Sequence, residues 1–404
     1  MFLIFSLLFT FLALPASSLQ ATAAESTSAG TGKEQADNTA SADTTTITIS
    51  AVGDCTLGKN YKMSYKHSWG QYYARKGASW FLKKTSSVFK KDDLTIANLE
   101  GVLSSSAKKR VHSFYKERDK QIAGRSFFHL GKPKYLKALK SGGVDVVTFA
   151  NNHNIDYGLK GFRDTVNACR NYKMPIAYYD TLVRYQVKGI QIGVIAVDQS
   201  YLTRKTAEKY LRAGIASLKE DCQLIVACMH WGQNYKKYPD KDARYLGHLC
   251  VNLGADMVIG AHPHILQGVE RYRGRYIYYS LGNFTYGGRL KPKDADTMIV
   301  QQTFTFVNGK LQIDDNVRLI PCWISGSRKI SNYQPVIKKG AAGRKIIRKI
   351  NTRSKKFGMK FDYSGKPVAA PAADTKLPEN TDKAPGQKPK KIPSIIYKLL
   401  RKKK

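Results

Sequence analysis

The chain has 404 residues, 42% hydrophobic and 24% charged, which is enough to bury a large core and excludes a disordered, collagen-like or disulfide-mini-protein chain. Its 67 Lys and Arg against 30 Asp and Glu leave a formal net charge of +37. Such an excess has to lie on surfaces and attracts polyanions: nucleic acid, anionic lipid, a wall phosphopolymer or a polycarboxylate.

At the N-terminus, Phe2 to Leu14 is an uncharged apolar run, shorter than the ~20 residues of a comfortable membrane helix. Pro15 and the small residues Ala21 and Ala23 follow it, so residues 1–24 read as a signal peptide or uncleaved anchor, although no Lys or Arg precedes the run. The protein is therefore expected to be exported, extracytoplasmic and associated with the membrane or cell wall. Residues 25–46 are mostly Ser, Thr, Ala, Gly and Asp and read as a disordered linker. The six cysteines, among them Cys55, Cys222, Cys228 and Cys250, show no C-x-x-C pairing and are expected to be buried thiols.

The folded part is expected from Ile47. Strand-like runs at Ile47 to Val52, Leu94 to Ala97, Val144 to Ala150, Gln223 to Met229 and Met257 to Ala261 alternate with helix-spaced runs at Lys134 to Lys140, Leu159 to Cys169, Ala207 to Leu218 and Asp242 to Leu253. Hairpins are expected at Lys188-Gly189, Arg273-Gly274 and Asn308-Gly309. Together these predict a mixed α/β sandwich. Residues 326–365 form a basic extension with a possible amphipathic helix from Arg344 to Arg353. Residues 366–404 are a Pro/Ala-rich linker and a Lys/Arg-rich tail suited to an anionic membrane surface.

Ligand-type residues cluster just after the strands: Asp54, then Asn98 and Glu100, then Asn151, Asn152 and His153, then His230, then His262 and His264. Open α/β sheets bind ligands beyond the carboxyl ends of their strands, so these side chains converge on one face. A mixed oxygen and nitrogen donor set suits Mn, Fe or Zn better than Ca or Mg. His67, His112, His129 and His248 read as hydrogen-bonded surface residues.

The ordered blocks Gly53-Asp54-Cys55-Thr56-Leu57-Gly58, Ala97-Asn98-Leu99-Glu100-Gly101, Ala150-Asn151-Asn152-His153, His230-Trp231-Gly232, Gly260-Ala261-His262-Pro263-His264 and Ser280-Leu281-Gly282-Asn283-Phe284 resemble the bacterial CapA-type capsule-synthesis proteins linked to poly-γ-glutamate. The resemblance covers residues 47–325. That family is similar to the calcineurin-like metallophosphatases, which implies a four-layer fold of two mixed β-sheets flanked by helices, with two divalent ions. It further implies that Asp54 and His264 bind the first ion, that Glu100 bridges, and that Asn152, His230 and His262 bind the second. His153 becomes the general acid or the donor to a transition-state oxygen. Asn98 and Asn151 are expected to line the substrate site, as are Trp231 and Asn283, for which a core aromatic and a turn residue are equally open readings. Thr56 departs from the pattern, standing where the superfamily has a histidine. Two readings follow: an exported metal-dependent hydrolase of capsule or poly-γ-glutamate biosynthesis, or a non-catalytic accessory subunit of a membrane synthase that holds the anionic polymer. Nucleic acid is not expected as a partner, since no aromatic-basic recognition motif accompanies the charge.

Overall fold

The computed structural model describes residues 43–108, 127–312, 316–327 and 329–368. The expected signal or anchor, nearly all of the linker, and the tail beyond residue 368 lie outside the described residues. The opening strand, Thr44–Thr56, starts three residues before the expected Ile47, because Thr44, Thr45 and Thr46 pair in antiparallel register with Val307, Phe306 and Thr305.

That strand is the middle of the first sheet. On one side Leu94–Leu99, Val146–Thr148 and Ile176–Ala177 run parallel to it. On the other side lie Asp296–Val307, Val317–Trp323 and Val336–Ile337, joined by antiparallel ladders. Asn283–Tyr286 pairs parallel with the strand's end. The second sheet has the order Val269–Tyr272, Arg275–Tyr278, Met257–Ala261, Leu224–His230, Ile190–Asp198, Val183–Val187, parallel in the centre and antiparallel at both edges. All three expected hairpins are present. In each, both central residues have positive φ (49° and 77° at Lys188-Gly189, 48° and 74° at Arg273-Gly274, 49° and 72° at Asn308-Gly309), the turn geometry whose twist matches that of paired strands.

Side-chain alternation sorts the first sheet into two faces. Ile47, Ile49, Leu94 and Ile96 join Ile192, Val194, Val226 and Val258 of the second sheet in one core. Val52, Ala97, Leu99 and Val147 instead join Leu136, Leu139 and Phe162 of the helices Leu136–Gly142 and Gly158–Asn171. Leu211 and Ile215 of helix Arg204–Leu218, with Leu246 and Cys250 of helix Lys241–Leu253, complete the first core. Each such buried aliphatic side chain contributes about 1.5–3 kcal/mol. The result is the four-layer, metallophosphatase-like sandwich of two mixed sheets and flanking helices that the resemblance implies.

The basic extension is part of this body. Helix Gly340–Ser354 buries Ile346, Ile347 and Ile350 in the inter-sheet core and leaves Arg344, Lys345 and Arg348 exposed. All six cysteines are free, five buried and Cys222 partly so. Burial pushes the Cys55 and Cys228 thiols up to about 12, which keeps them protonated and inert. Among the described residues no helix is long and apolar enough to cross a membrane.

Candidate metal centre

Local sequence explains how each donor arrives. Between Val52 and Asp54 the register against the neighbouring strand slips, Val52 facing Ala97 but Asp54 facing Asn98, so the bulged strand turns Asp54 inward. Gly53 is required there, since a Cβ would lie 1.9 Å from the Gly282 carbonyl, and the Asp54 N–H donates to that same carbonyl at 3.0 Å. His230 ends its own strand. His262 and His264 flank Pro263 with φ of 95° and 57°, a left-handed backbone that costs a non-glycine residue on the order of 1–3 kcal/mol and persists where the surroundings enforce it. The Tyr235 N–H, donating to the Pro263 carbonyl at 2.8 Å, is one such restraint.

These residues meet in one buried cluster. His264 Nδ1 lies 3.1 Å from Asp54 Oδ2, and its Nε2 lies 3.7 Å from Glu100 Oε1. His230 Nε2 is 3.9 Å from the same Glu100 oxygen, 2.9 Å from Asn152 Oδ1 and 3.0 Å from His262 Nδ1. Glu100 Oε1 thus stands between an Asp54–His264 group and an Asn152–His230–His262 group. Among the described residues, Asp54 Oδ2 and Glu100 Oε1 are buried and, beyond these imidazole contacts, have no hydrogen-bond partner. Two such carboxylate oxygens are costly to leave alone and are what a cation would satisfy, so the donor set fits divalent metal. Thr56, in the position expected for a histidine, spends its hydroxyl on Glu100 Oε2 at 3.4 Å.

The electrostatics agree. Burial, assisted by the Asp54 and Asp156 charges, pushes Glu100 up to about 8 even with His264 opposing it. Burial works against charge on His264, but the facing Glu100 and Asp54 carboxylates outweigh it, and the pair retains a proton well above the usual carboxylate range. His230 is held well below its ordinary value by burial and by the neighbouring imidazoles, which leaves it neutral and free to ligate.

His153 enters from the loop before helix Gly158–Asn171. Asn151 Oδ1 accepts the His153 N–H at 3.1 Å and fixes the turn, while His153 Nδ1 bonds Asp156 Oδ2 at 2.7 Å. That leaves Nε2 facing the centre, 3.9 Å from Glu100 Oε1. His129, expected at the surface, is buried: its ring stacks on His153 at 4.0 Å, and its backbone N–H donates to Asp156 Oδ2 at 2.6 Å. It occupies a three-residue strand, His129–Gly131, too short to show periodicity; its nearness to His153 carries no signal in the sequence. His129, His153 and Asp156 also bring three donor atoms within 4.8 Å of one another.

The four expected substrate contacts are buried and hydrogen-bonded to their neighbours. Asn98 gives its amide to Asp54 Oδ1 at 2.8 Å and receives Thr148 and Asn151 at 3.2 Å each. Asn151 is consumed by Leu99, Asn98 and His153. Asn283 holds His264 through Nδ1 at 2.9 Å and through its carbonyl at 3.3 Å. Trp231 is fully buried in the core, its indole N–H bonded to the Tyr279 carbonyl at 2.8 Å. Asn98 and Asn283 thereby brace Asp54 and His264, Asn151 braces the His153 turn, and Trp231 packs in the core beside His230.

A layered α/β sandwich thus gathers carboxylate, amide and imidazole donors at its strand ends into a candidate divalent-metal centre. The family model described as "Bacterial capsule synthesis protein PGA_cap" matches residues 48–287, and the chain belongs to that family. It is 28% identical over 274 residues to the capsule biosynthesis protein CapA of Bacillus anthracis, covering 62% of each chain. With the PGA biosynthesis protein CapA of Bacillus subtilis it shares 29% identity over 260 residues, 59% of this chain and 63% of that one. A Mycobacterium tuberculosis protein named "Probable polyglutamine synthesis accessory protein" matches at 24% over 180 residues, 37% of this chain and 47% of that one. The chain thus spans somewhat under two thirds of the length of the Bacillus relatives.

Proposed function

We propose that the chain is an exported, metal-dependent hydrolase acting in the biosynthesis of a capsule or poly-γ-glutamate, where it meets an anionic polymer and membrane synthase subunits. The observation that carries this is the pair of buried carboxylate oxygens, Asp54 Oδ2 and Glu100 Oε1, which among the described residues have only imidazole neighbours, with His230, His262 and His264 gathered around them. Asp54, Glu100 and His264 would hold one ion, and Glu100, Asn152, His230 and His262 a second. Bound divalent ions supply polarisation of a substrate oxygen and a water of lowered pKa.

The chain's own part is proton handling. Asp156 accepts at His153 Nδ1 and so fixes the ring's tautomer and direction. Nε2 is then placed to hold a proton and give it to a leaving group, whether a phosphoester oxygen or an amide nitrogen of a glutamyl chain. The +37 charge suits an anionic substrate. A membrane or wall location, aided by the basic tail, belongs to the same reading.

A second reading, a non-catalytic polymer-holding subunit, is favoured by Thr56: its hydroxyl goes to Glu100, and the first ion has no imidazole from this position. The two separate on the purified full chain by metal analysis and turnover of a generic phosphodiester with Mn. The hydrolase reading expects bound metal and a loss of about 10²–10⁴ in turnover for His153→Ala at unchanged metal content. Metal-free protein with no turnover across several ester and amide classes would leave the holding subunit.

A further inference from the structure

We infer that Arg289 and Tyr235, backed by Lys293, form a subsite at the rim of the metal centre that grips an oxyanion of the substrate beside the bond to be cleaved. This rests on the substrate-binding role proposed above and adds the residues that read the substrate's charge.

The chain is built to bring Arg289 there. Strand Asn283–Tyr286 pairs with the end of the Asp54 strand, and the Gly287 N–H donates to the Thr56 carbonyl at 2.9 Å, continuing that contact. A Cβ on Gly287 would lie 2.0 Å from the Gly58 carbonyl oxygen. One on Gly288 would lie 2.5 Å from the Tyr286 ring and 2.9 Å from His129 Nε2. Two residues without side chains therefore let the backbone run hard against the centre, and Arg289 is the first side chain beyond them. Further along, Lys349 pairs with Asp294 and Asp296 and ties the segment down.

The guanidinium is framed by aromatic rings. It lies over Phe127 at 4.4 Å, and its charge acts on the Tyr235 hydroxyl. The Tyr235 ring stands 6.1 Å from that of His264, and the Lys293 ammonium lies 4.7 Å over its face. Tyr286, whose ring is 5.4 Å from His264, also feels the Arg289 charge. Arg289 is half-buried, and among the described residues neither it nor Lys293 has a carboxylate partner; the nearby Asp294 and Asp296 are taken by Lys349. A half-buried, planar cation without a counter-charge, next to a phenol whose O–H remains able to donate, is a fork for carboxylate or phosphate. The two donors address one oxyanion. Lys293 raises the local potential.

The test is calorimetric binding to the full chain, with and without added Mn, of a γ-linked glutamate oligomer, of the same oligomer as its neutral methyl ester, and of inorganic phosphate. Arg289→Gln is expected to weaken oligomer binding about 10- to 100-fold at unchanged melting temperature and metal content, as loss of a charge-assisted hydrogen bond does. Arg289→Lys, which keeps the charge but not the fork, should recover part of it, and the neutral ester should be indifferent to either change. Unchanged oligomer and phosphate affinity in Arg289→Gln, or an ester that binds as well as the acid, overturns the subsite. Should phosphate binding alone depend on Arg289, the oxyanion subsite stands and the polyglutamate assignment falls. Should Arg289 dependence persist in protein that takes up no metal, the subsite stands and the hydrolase reading falls.

Discussion

The two sheets furnish the centre in opposite ways. The first sheet delivers Asp54, Glu100 and Asn152 from strand ends and the loops that follow them, where ordinary ladder hydrogen bonds and buried amides hold each oxygen in place. The second delivers imidazoles: His230 at the end of a regular strand, and His262 and His264 on a left-handed turn whose backbone is strained. The oxygen half is rigid but electrostatically unfinished, its two buried carboxylate oxygens met only by imidazoles among the described residues. The nitrogen half combines a neutral His230 with a His264 that its facing carboxylates hold toward the protonated form, and it is conformationally expensive. A cation held there would join them, relieving the defect of one and offsetting the strain of the other. The halves also differ in donor number, because Thr56 contributes no imidazole beside Asp54, whereas Asn152, His230 and His262 share Glu100 on the far side.

The largest effect expected from this asymmetry is on metal stoichiometry. The four-donor group should fill first as Mn is titrated in, and the three-donor group second and more weakly. His262→Ala should then abolish the tighter uptake, while Asp54→Asn should leave about one ion per chain, the tighter, in place. Elemental analysis of the two variants after dialysis decides the matter. Equal loss in both would mean that the halves bind as one unit and that Thr56 costs nothing.

Titration should show the same division. Glu100 is raised to about 8 and His264 is raised by its facing carboxylates, so both bind protons more tightly folded than unfolded. Where the native state holds more protons, stability falls as pH rises. For His264 the contribution is complete below its unfolded value near 6.5 and is lost as pH rises through its folded value. For Glu100, burial penalises the charge progressively from about 4.5 up to 8. Metal-free protein should therefore melt at lower temperature at pH 8.5 than at pH 6.5. Metal-loaded protein, in which the ion takes the place of the protons, should show much less of this slope, and apparent metal affinity should rise over the same range. A metal-free melting temperature that climbs with pH would contradict the placement of these groups.

The same contrast explains what could be read from sequence. Donors at the ends of long, periodic strands were legible, because a strand's carboxyl end is identifiable and its next few residues must lie nearby: Asp54, Glu100 and His230 are of this kind. The hairpins were legible from Lys188-Gly189, Arg273-Gly274 and Asn308-Gly309, whose backbone preference is local. His129 was not, since its place on the His153 ring depends on a pairing of Lys59–Asn60 and Val102–Leu103 with its own short strand, and nothing local encodes that. The internal bonds of Asn98, Asn151 and Asn283 were not legible for a related reason. Position near the centre was readable, but whether a side chain's polar atoms face outward or are used up by neighbours is settled only by packing. The same is true of the helix Gly340–Ser354, whose amphipathic pattern was visible while its union with the inter-sheet core was not.

Trp231 gives the smallest and sharpest test, because it adjoins His230 in sequence and yet belongs to the structural side of the nitrogen half. Its N–H donates to the Tyr279 carbonyl, its backbone N–H to the Ala261 carbonyl at 3.2 Å, and its ring closes over Gly260, where a Cβ would meet Nε1 at 2.6 Å. It therefore fixes the strand that ends at Ala261 and, through it, the turn bearing His262. Trp231→Phe keeps most of the apolar volume but leaves the Tyr279 carbonyl without its donor, a cost of about 1–3 kcal/mol. Chemical denaturation should show that loss with an unchanged m-value, while metal content and substrate affinity stay at the level of the unaltered chain. A substrate-lining role would give the reverse pattern, weakened substrate binding at unchanged stability, and would move Trp231 from the support of the imidazoles to the face that they present.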